Sequence, residues 1–239
     1  MATYLLLHAF PFDGSMWDEV AEGLRADGHR VIAPDLRGFG HAPLGDNAPD
    51  LQWMVEDVAS LLDEAAVIVG CSMGGYVALG IAGDRPDLVQ ALALVDTKAT
   101  ADGDAARDNR ERIAALAETG GDWSAGMIDG LLGEATRESR PEIVARVQQV
   151  LDGAPRATIA WAQRAMAVRS EALDVLRELD VPVLVVVGNQ DTMSPMSEQE
   201  LIVQAASDAR LVVIPGSGHL SPLEAPERVA EVLSSLAMC

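Results

Sequence analysis

The stretch Ala65-Ala66-Val67-Ile68-Val69-Gly70-Cys71-Ser72-Met73-Gly74-Gly75 decides the reading of this chain. The β-branched and small apolar residues before Gly70 have the pattern of a strand buried on both faces. After Gly75, Tyr76-Val77-Ala78-Leu79-Gly80-Ile81-Ala82 is apolar and rich in small residues, as a helix packed closely on a sheet requires. Between them lies Gly-x-Ser-x-Gly, with Gly70, Ser72 and Gly74. In a sharp strand-to-helix turn of this kind the serine takes strained backbone geometry, and the residues two before and two after it must be small. Its hydroxyl then stands at a helix N-terminus, where the dipole and free N–H groups favour developing negative charge. Five residues of pattern arise by chance; the strand before and the helix after give this one its weight. Cys71 is a rival nucleophile, but a cysteine at that register needs small residues at Val69 and Met73, and neither is small. Cys71 is expected to pack behind the turn as a small apolar residue.

Outward from this stretch, strand-like runs alternate with helical ones. Tyr4–Leu7, Arg30–Ala33, Ala91–Val95, Pro182–Val187 and Leu211–Ile214 read as further strands. A helix is predicted over Ser15–Ala26, capped by Ser15, with Trp17, Val20, Ala21 and Leu24 on one face. A second runs over Leu51–Leu62 with Met54, Val58, Leu61 and Leu62 inward, and others cover Glu198–Ala206 and Pro226–Leu236. From about Ala101 to Glu178 no strand is evident. Helical stretches take over at Ala105–Leu116, Trp123–Leu132, Pro141–Leu151, Thr158–Val168 and Glu171–Arg177. The expected architecture is α/β, a mostly parallel, doubly wound sheet of about six strands. Residues 1–100 and 179–239 form its core, and 101–178 are inserted as a helical cap over the strand ends.

Composition bounds the function. The 239 residues carry 37 acidic and 17 basic side chains, a formal charge of −20. Such a chain repels nucleic acid and anionic membrane surfaces. Lys98 is the sole lysine. Two cysteines, Cys71 and Cys239, make no disulfide framework. The apolar run at Tyr4–Leu7 lacks a basic flank and a cleavage site, so no signal peptide is expected, and no apolar run is long enough to cross a bilayer. The expectation is a soluble, cytoplasmic protein.

A serine hydroxyl needs a base. His219 lies past the last strand in Gly216-Ser217-Gly218-His219, at the carboxyl end of the sheet, where α/β sites are built. His29 leads into a strand at the wrong end, and His8 and His41 sit in loops with other work to do. The base needs an acid to fix its tautomer. Asp191 follows the Val187 strand, and the order Ser72, Asp191, His219 is the one expected with an elbow serine; Asp96, after the preceding strand, is the rival. The oxyanion needs preorganised N–H donors. Met73, next after the serine, offers one, and Phe10 in the loop after the first strand offers the second, since Pro11 has no N–H. Trp123, Trp161 and Met193 are candidate substrate contacts, with cap packing as the alternative for the tryptophans.

Taken together, His8-Ala9-Phe10-Pro11, Ser15-Met16-Trp17, Asp35-Leu36-Arg37-Gly38-Phe39-Gly40, Gly70-Cys71-Ser72-Met73-Gly74-Gly75, Gly188-Asn189-Gln190-Asp191 and Gly216-Ser217-Gly218-His219 resemble the α/β-hydrolase superfamily. The Ser-Met-Trp and Ser-Met-Gly-Gly pieces look like its small serine esterase and 3-oxoadipate enol-lactonase-like branch. The resemblance implies a serine hydrolase with no cofactor and no metal, acting on small-molecule esters or lactones beneath a short helical cap. Ala9 stands where the family usually has glycine, and Ala42 where it often has serine. The chain is also expected to lack the customary N-terminal antiparallel hairpin, which leaves a different sheet edge. The same triad runs in C–C bond lyases and perhydrolases, and low-turnover small-molecule sensors share the fold. Homo-oligomerisation stays open at this stage.

Overall fold

The computed structural model describes residues 1–238; Cys239, the second cysteine of the sequence argument, lies outside the described residues. Six strands form one sheet: β1 (Thr3–Leu7), β2 (Arg30–Ile32), β3 (Ala66–Cys71), β4 (Val89–Val95), β5 (Val183–Gly188) and β6 (Ala209–Ile214). They lie in the order β2-β1-β3-β4-β5-β6, each pair parallel. β1, β3 and β5 are buried along their whole length, as their unbroken apolar runs require, while the edge strands β2 and β6 are partly open.

Helices cover both faces. α1 (Asp18–Ala26) packs against α12 (Pro226–Ser234). α2 (Gln52–Ala59), α3 (Met73–Asp84), α9 (Leu173–Glu178) and α10 (Met196–Ala205) pack one on the next in a separate layer. Between β4 and β5 the chain also passes through α4 (Asp104–Glu118), α5 (Met127–Leu131), α6 (Glu134–Ser139), α7 (Pro141–Gly153) and α8 (Arg156–Ala167). α4 and α8 make the main helix pair of this segment, and Arg164 of α8 clamps Glu111 and Glu118 of α4. A short α11 (Ser221–Glu224) precedes α12. None of these helices is long and apolar enough to cross a membrane.

Topology sets the site. The chain goes outward from β1 to β2, then returns to the other side of β1 with β3 and proceeds to β6. The reversal falls between β1 and β3, whose exit loops diverge there and leave a crevice at the carboxyl ends of the strands. Register brings Leu7 beside Gly70, Cys71 beside Val95, and Gly188 beside Ile214, so the exit loops of five strands meet in one region.

Local details differ from the sequence expectation at several places. The cap before α1 is Asp13, whose carboxylate accepts the Ser15 N–H, and a 3₁₀ turn over Gly14–Trp17 comes before the α-helix; Ser15 is not the cap. α2 stops at Ala59, so Leu61 falls outside its periodicity and is exposed, whereas Met54, Val58 and Leu62 are buried. The helix expected over Trp123–Leu132 is confined to α5, because Gly126 takes left-handed backbone, φ 73°, and interrupts any earlier start. α6 and α11, of six and four residues, are too short to show a period.

Candidate active site

β3 delivers the chain to Ser72, which turns it into α3 with φ 51° and ψ −113°, a strained conformation for a residue with a side chain. The flanking glycines are steric necessities. A Cβ on Gly70 would meet the Gly74 carbonyl oxygen at 2.2 Å, and one on Gly74 would meet the Leu7 carbonyl oxygen at 2.1 Å. The turn is held by the Ser72 N–H donating to the Val95 carbonyl at 3.0 Å and the Thr97 hydroxyl donating to the Ser72 carbonyl at 2.7 Å. Cys71 is fully buried, and burial together with the charges of Asp96 and Asp191 pushes its thiol well above the ordinary range. It therefore offers no thiolate.

His219 reaches Ser72 from the loop after β6. Its Nε2 lies 2.8 Å from the Ser72 Oγ, and its Nδ1 lies 2.9 Å from Asp191 Oδ2. Asp191 sits in the turn after β5 and accepts four bonds: the N–H groups of Met193 (2.8 Å) and Ser194 (3.0 Å) on Oδ1, and the Ser194 hydroxyl and His219 on Oδ2. Burial alone would raise the Asp191 carboxyl; the charge of His219 and the hydrogen bonds from His219 and Ser194 reverse this and hold it low. Burial would likewise lower His219, but the Asp191 carboxylate outweighs it, and the imidazole pKa is raised above 6.5. The protonated form of His219 is therefore favoured relative to a free imidazole.

The rival acid has another task. Asp96 is buried at the end of β4, with φ 46°. Its Oδ1 accepts the Gly188 N–H at 2.9 Å, and its Oδ2 accepts the Ser221 N–H at 2.9 Å and the Ser221 hydroxyl at 2.6 Å. Burial and the neighbouring Asp191 push it up to about 7. Asp96 thus ties the end of β5 to α11 and spends its lone pairs on those donors.

Phe10 and Met73 flank the crevice at the ends of β1 and β3, and neither N–H has an acceptor among the described residues. The loop carrying Phe10 is pinned by His8. Its Nε2 accepts the Leu36 N–H at 2.8 Å, which leaves Nδ1–H to donate to the Ala9 carbonyl at 3.0 Å. Burial lowers the His8 pKa to about 4, so the ring stays neutral and its two bonds persist.

Above Ser72 and His219 lies a cavity of about 360 Å³, within the range of small-ligand sites. Phe10, Ile113, Trp123, Met127, Met166 and Met193 supply its apolar wall, with the Phe10 and Trp123 rings edge to face at 6.0 Å. α4, α5 and α8 therefore roof the site. Trp161 does not line this cavity. Its indole N–H donates to the Asn47 carbonyl at 2.8 Å, so Trp161 fastens α8 to the loop after β2.

Three groups at the site escaped sequence reading. Ser194 bonds Asp191 and lies 3.3 Å from His219 Nδ1. Glu224 accepts the Gly218 N–H and the Gly133 N–H, each at 2.8 Å, and so joins the His219 loop to the roof. Lys98 lines the cavity wall. Only Lys98 left a trace, as the one lysine of the chain. Among the described residues no cluster of His, Cys, Asp or Glu is placed to hold a metal ion.

A profile of the Alpha/beta hydrolase family matches residues 4–232. A thermophilic esterase from Thermogutta terrifontis superposes with a TM-score of 0.94 at 37% identity, covering 100% of this chain and 90% of that one. Pimeloyl-[acyl-carrier protein] methyl ester esterase from Aeromonas hydrophila is 28% identical, over 96% of this chain and 92% of its own length. 3-Oxoadipate enol-lactonase 1 from Acinetobacter baylyi is 27% identical, over 93% and 83% respectively.

Proposed function

The chain belongs to the alpha/beta hydrolase family, and on that premise we propose that it is a serine hydrolase cleaving small to medium carboxylic esters or lactones. The observation that carries the reading is the unbroken relay Ser72 Oγ–His219 Nε2 at 2.8 Å and His219 Nδ1–Asp191 Oδ2 at 2.9 Å, opening on a mostly apolar cavity. Its similarity to esterases and a lactonase supports the same class.

Ser72 Oγ attacks the carbonyl carbon as its proton passes to His219 Nε2. The carbonyl π electrons move onto oxygen, where the Met73 and Phe10 N–H groups receive the charge; one such donor is worth about 3 kcal/mol. Collapse breaks the bond to the alkoxy oxygen, which takes the proton from His219 and leaves as an alcohol, or stays attached when a lactone ring opens. Water then gives a proton to His219 and adds to the acyl carbon. The second collapse releases the acid and returns the proton to Ser72. Asp191 keeps Nδ1 protonated and stabilises the imidazolium.

The test is hydrolysis of p-nitrophenyl esters from acetate to octanoate by the wild type and Ser72→Ala. Turnover is expected to fall by at least about three orders of magnitude in the variant, with the chain-length optimum measuring the cavity. Undiminished turnover by Ser72→Ala, or no turnover of esters and simple lactones by the wild type, overturns the reading.

A further inference from the structure

The charge of the cavity wall opposes that of the molecule. Acidic residues outnumber basic ones 37 to 17 in the whole chain. Around the cavity the charged side chains are Lys98, Arg110 and Arg112 against the single carboxylate of Asp102. That carboxylate is already neutralised. Asp102 is buried, bonded by Arg110 and by Arg169 at 2.8 Å, and these guanidinium groups overcome burial to hold it at about 2. Arg110 is used up in that pair and in a bond to Gln163, while Arg112 meets only the neutral Asn109 amide oxygen, at 2.8 Å. Lys98 has no hydrogen-bond or ion-pair partner among the described residues, although it is half buried. Its charge also reaches the reacting end, because it opposes protonation of His219.

An ammonium on a cavity wall with no counter-charge of its own is free to pair with an anionic group that enters the cavity. Lys98 sits with Tyr76 in the partition between the catalytic cavity and a second hollow of about 380 Å³ beside α2 and α3. The second hollow does include carboxylates at its rim, Asp50, Asp84 and Glu171, yet none is within ion-pair distance of Lys98.

We propose that Lys98 is a specificity residue, and that the preferred substrate is an ester or lactone carrying a free carboxylate at the end remote from the scissile bond. The inference rests on the ester-hydrolase reading above and narrows its substrate class. The apolar wall from Phe10 to Met166 accommodates the connecting carbon chain, Ser72 meets the ester carbonyl, and the remote carboxylate pairs with Lys98 beside the second hollow. Arg112, at the cavity margin with only an amide for company, favours approach of the same charge.

The experiment compares monomethyl adipate with dimethyl adipate, two esters of equal length that differ by one charge. The wild type is expected to favour the half-ester by about tenfold or more in kcat/KM. That ratio is expected to fall about tenfold in Lys98→Met and to survive in part in Lys98→Arg, whatever happens to the absolute rates. A wild type that favours the diester, or a ratio that Lys98→Met leaves intact, overturns the proposal while leaving the serine-hydrolase reading in place. If neither ester turns over, the hydrolase reading is decided by the p-nitrophenyl esters, and the carboxylate site is read from calorimetric binding of monomethyl adipate. Binding that weakens about tenfold in Lys98→Met then supports the site, and no binding, or equal binding, refutes it. Lys98→Gln provides a second neutral variant should the methionine form fail to fold.

Discussion

Asp96 and Asp191 lie at the ends of neighbouring strands, both buried, both carboxylates, within electrostatic reach of each other. One is pushed up to about 7 and the other is held low. The difference lies in what each oxygen meets. Asp96 is surrounded by donors belonging to the frame, the Gly188 N–H and the Ser221 N–H and hydroxyl. Asp191 bonds the His219 imidazole, a titratable group, through one of its oxygens. Position at a strand end does not set the chemistry of a carboxylate; the groups that bond its oxygens do.

Asp191→Asn is expected to lower kcat by about 10⁴ through loss of the correct His219 tautomer, with a small change in unfolding free energy. Asp96→Ala should do the reverse. It leaves three buried donors unmet, and urea unfolding should show a loss of about 3 kcal/mol, at about 1–3 kcal/mol per orphaned group, while kcat changes far less. A collapse in kcat at unchanged stability in Asp96→Ala would erase the distinction between the two acids. Ser194→Ala removes the one hydroxyl that touches both Asp191 and His219, and kcat is expected to fall about tenfold.

The His219 pKa is raised, so the neutral base accumulates only as pH climbs through a value above 6.5, and the ascending limb of kcat/KM should lie there. Without the Asp191 charge, burial and Lys98 remain to lower it, so the midpoint should move down in Asp191→Asn. By linkage, the stability contributed by the raised His219 is present in full below 6.5 and lost as pH rises through its folded value. A midpoint that ignores the asparagine would separate Asp191 from the base.

What the sequence made legible follows from which signals are local. The elbow was readable because backbone contacts at Gly70 and Gly74 leave only glycine possible, and the parallel strands because burial on both faces makes them continuously apolar. His219 and Asp191 were readable from their place after a strand. Side-chain destinations were less so. Trp123 and Trp161 have the same chemistry and lie in the same helical segment, but only one faces the cavity; the carbonyl that turned the other away belongs to Asn47, 114 residues distant in sequence. Glu224 sits in a helix of four residues, and its carboxylate bonds both Gly218 nearby and Gly133, which lies 91 residues away. No periodicity records such pairings.

That glutamate is a clasp between two distant parts of the chain. One carboxylate grips Gly133 in the roof and Gly218 just before His219, while the His219 N–H donates to the Leu131 carbonyl at 3.0 Å. The roof and the segment that carries His219 are thus fastened to each other at this corner, so any displacement of one must break these bonds or carry the other with it.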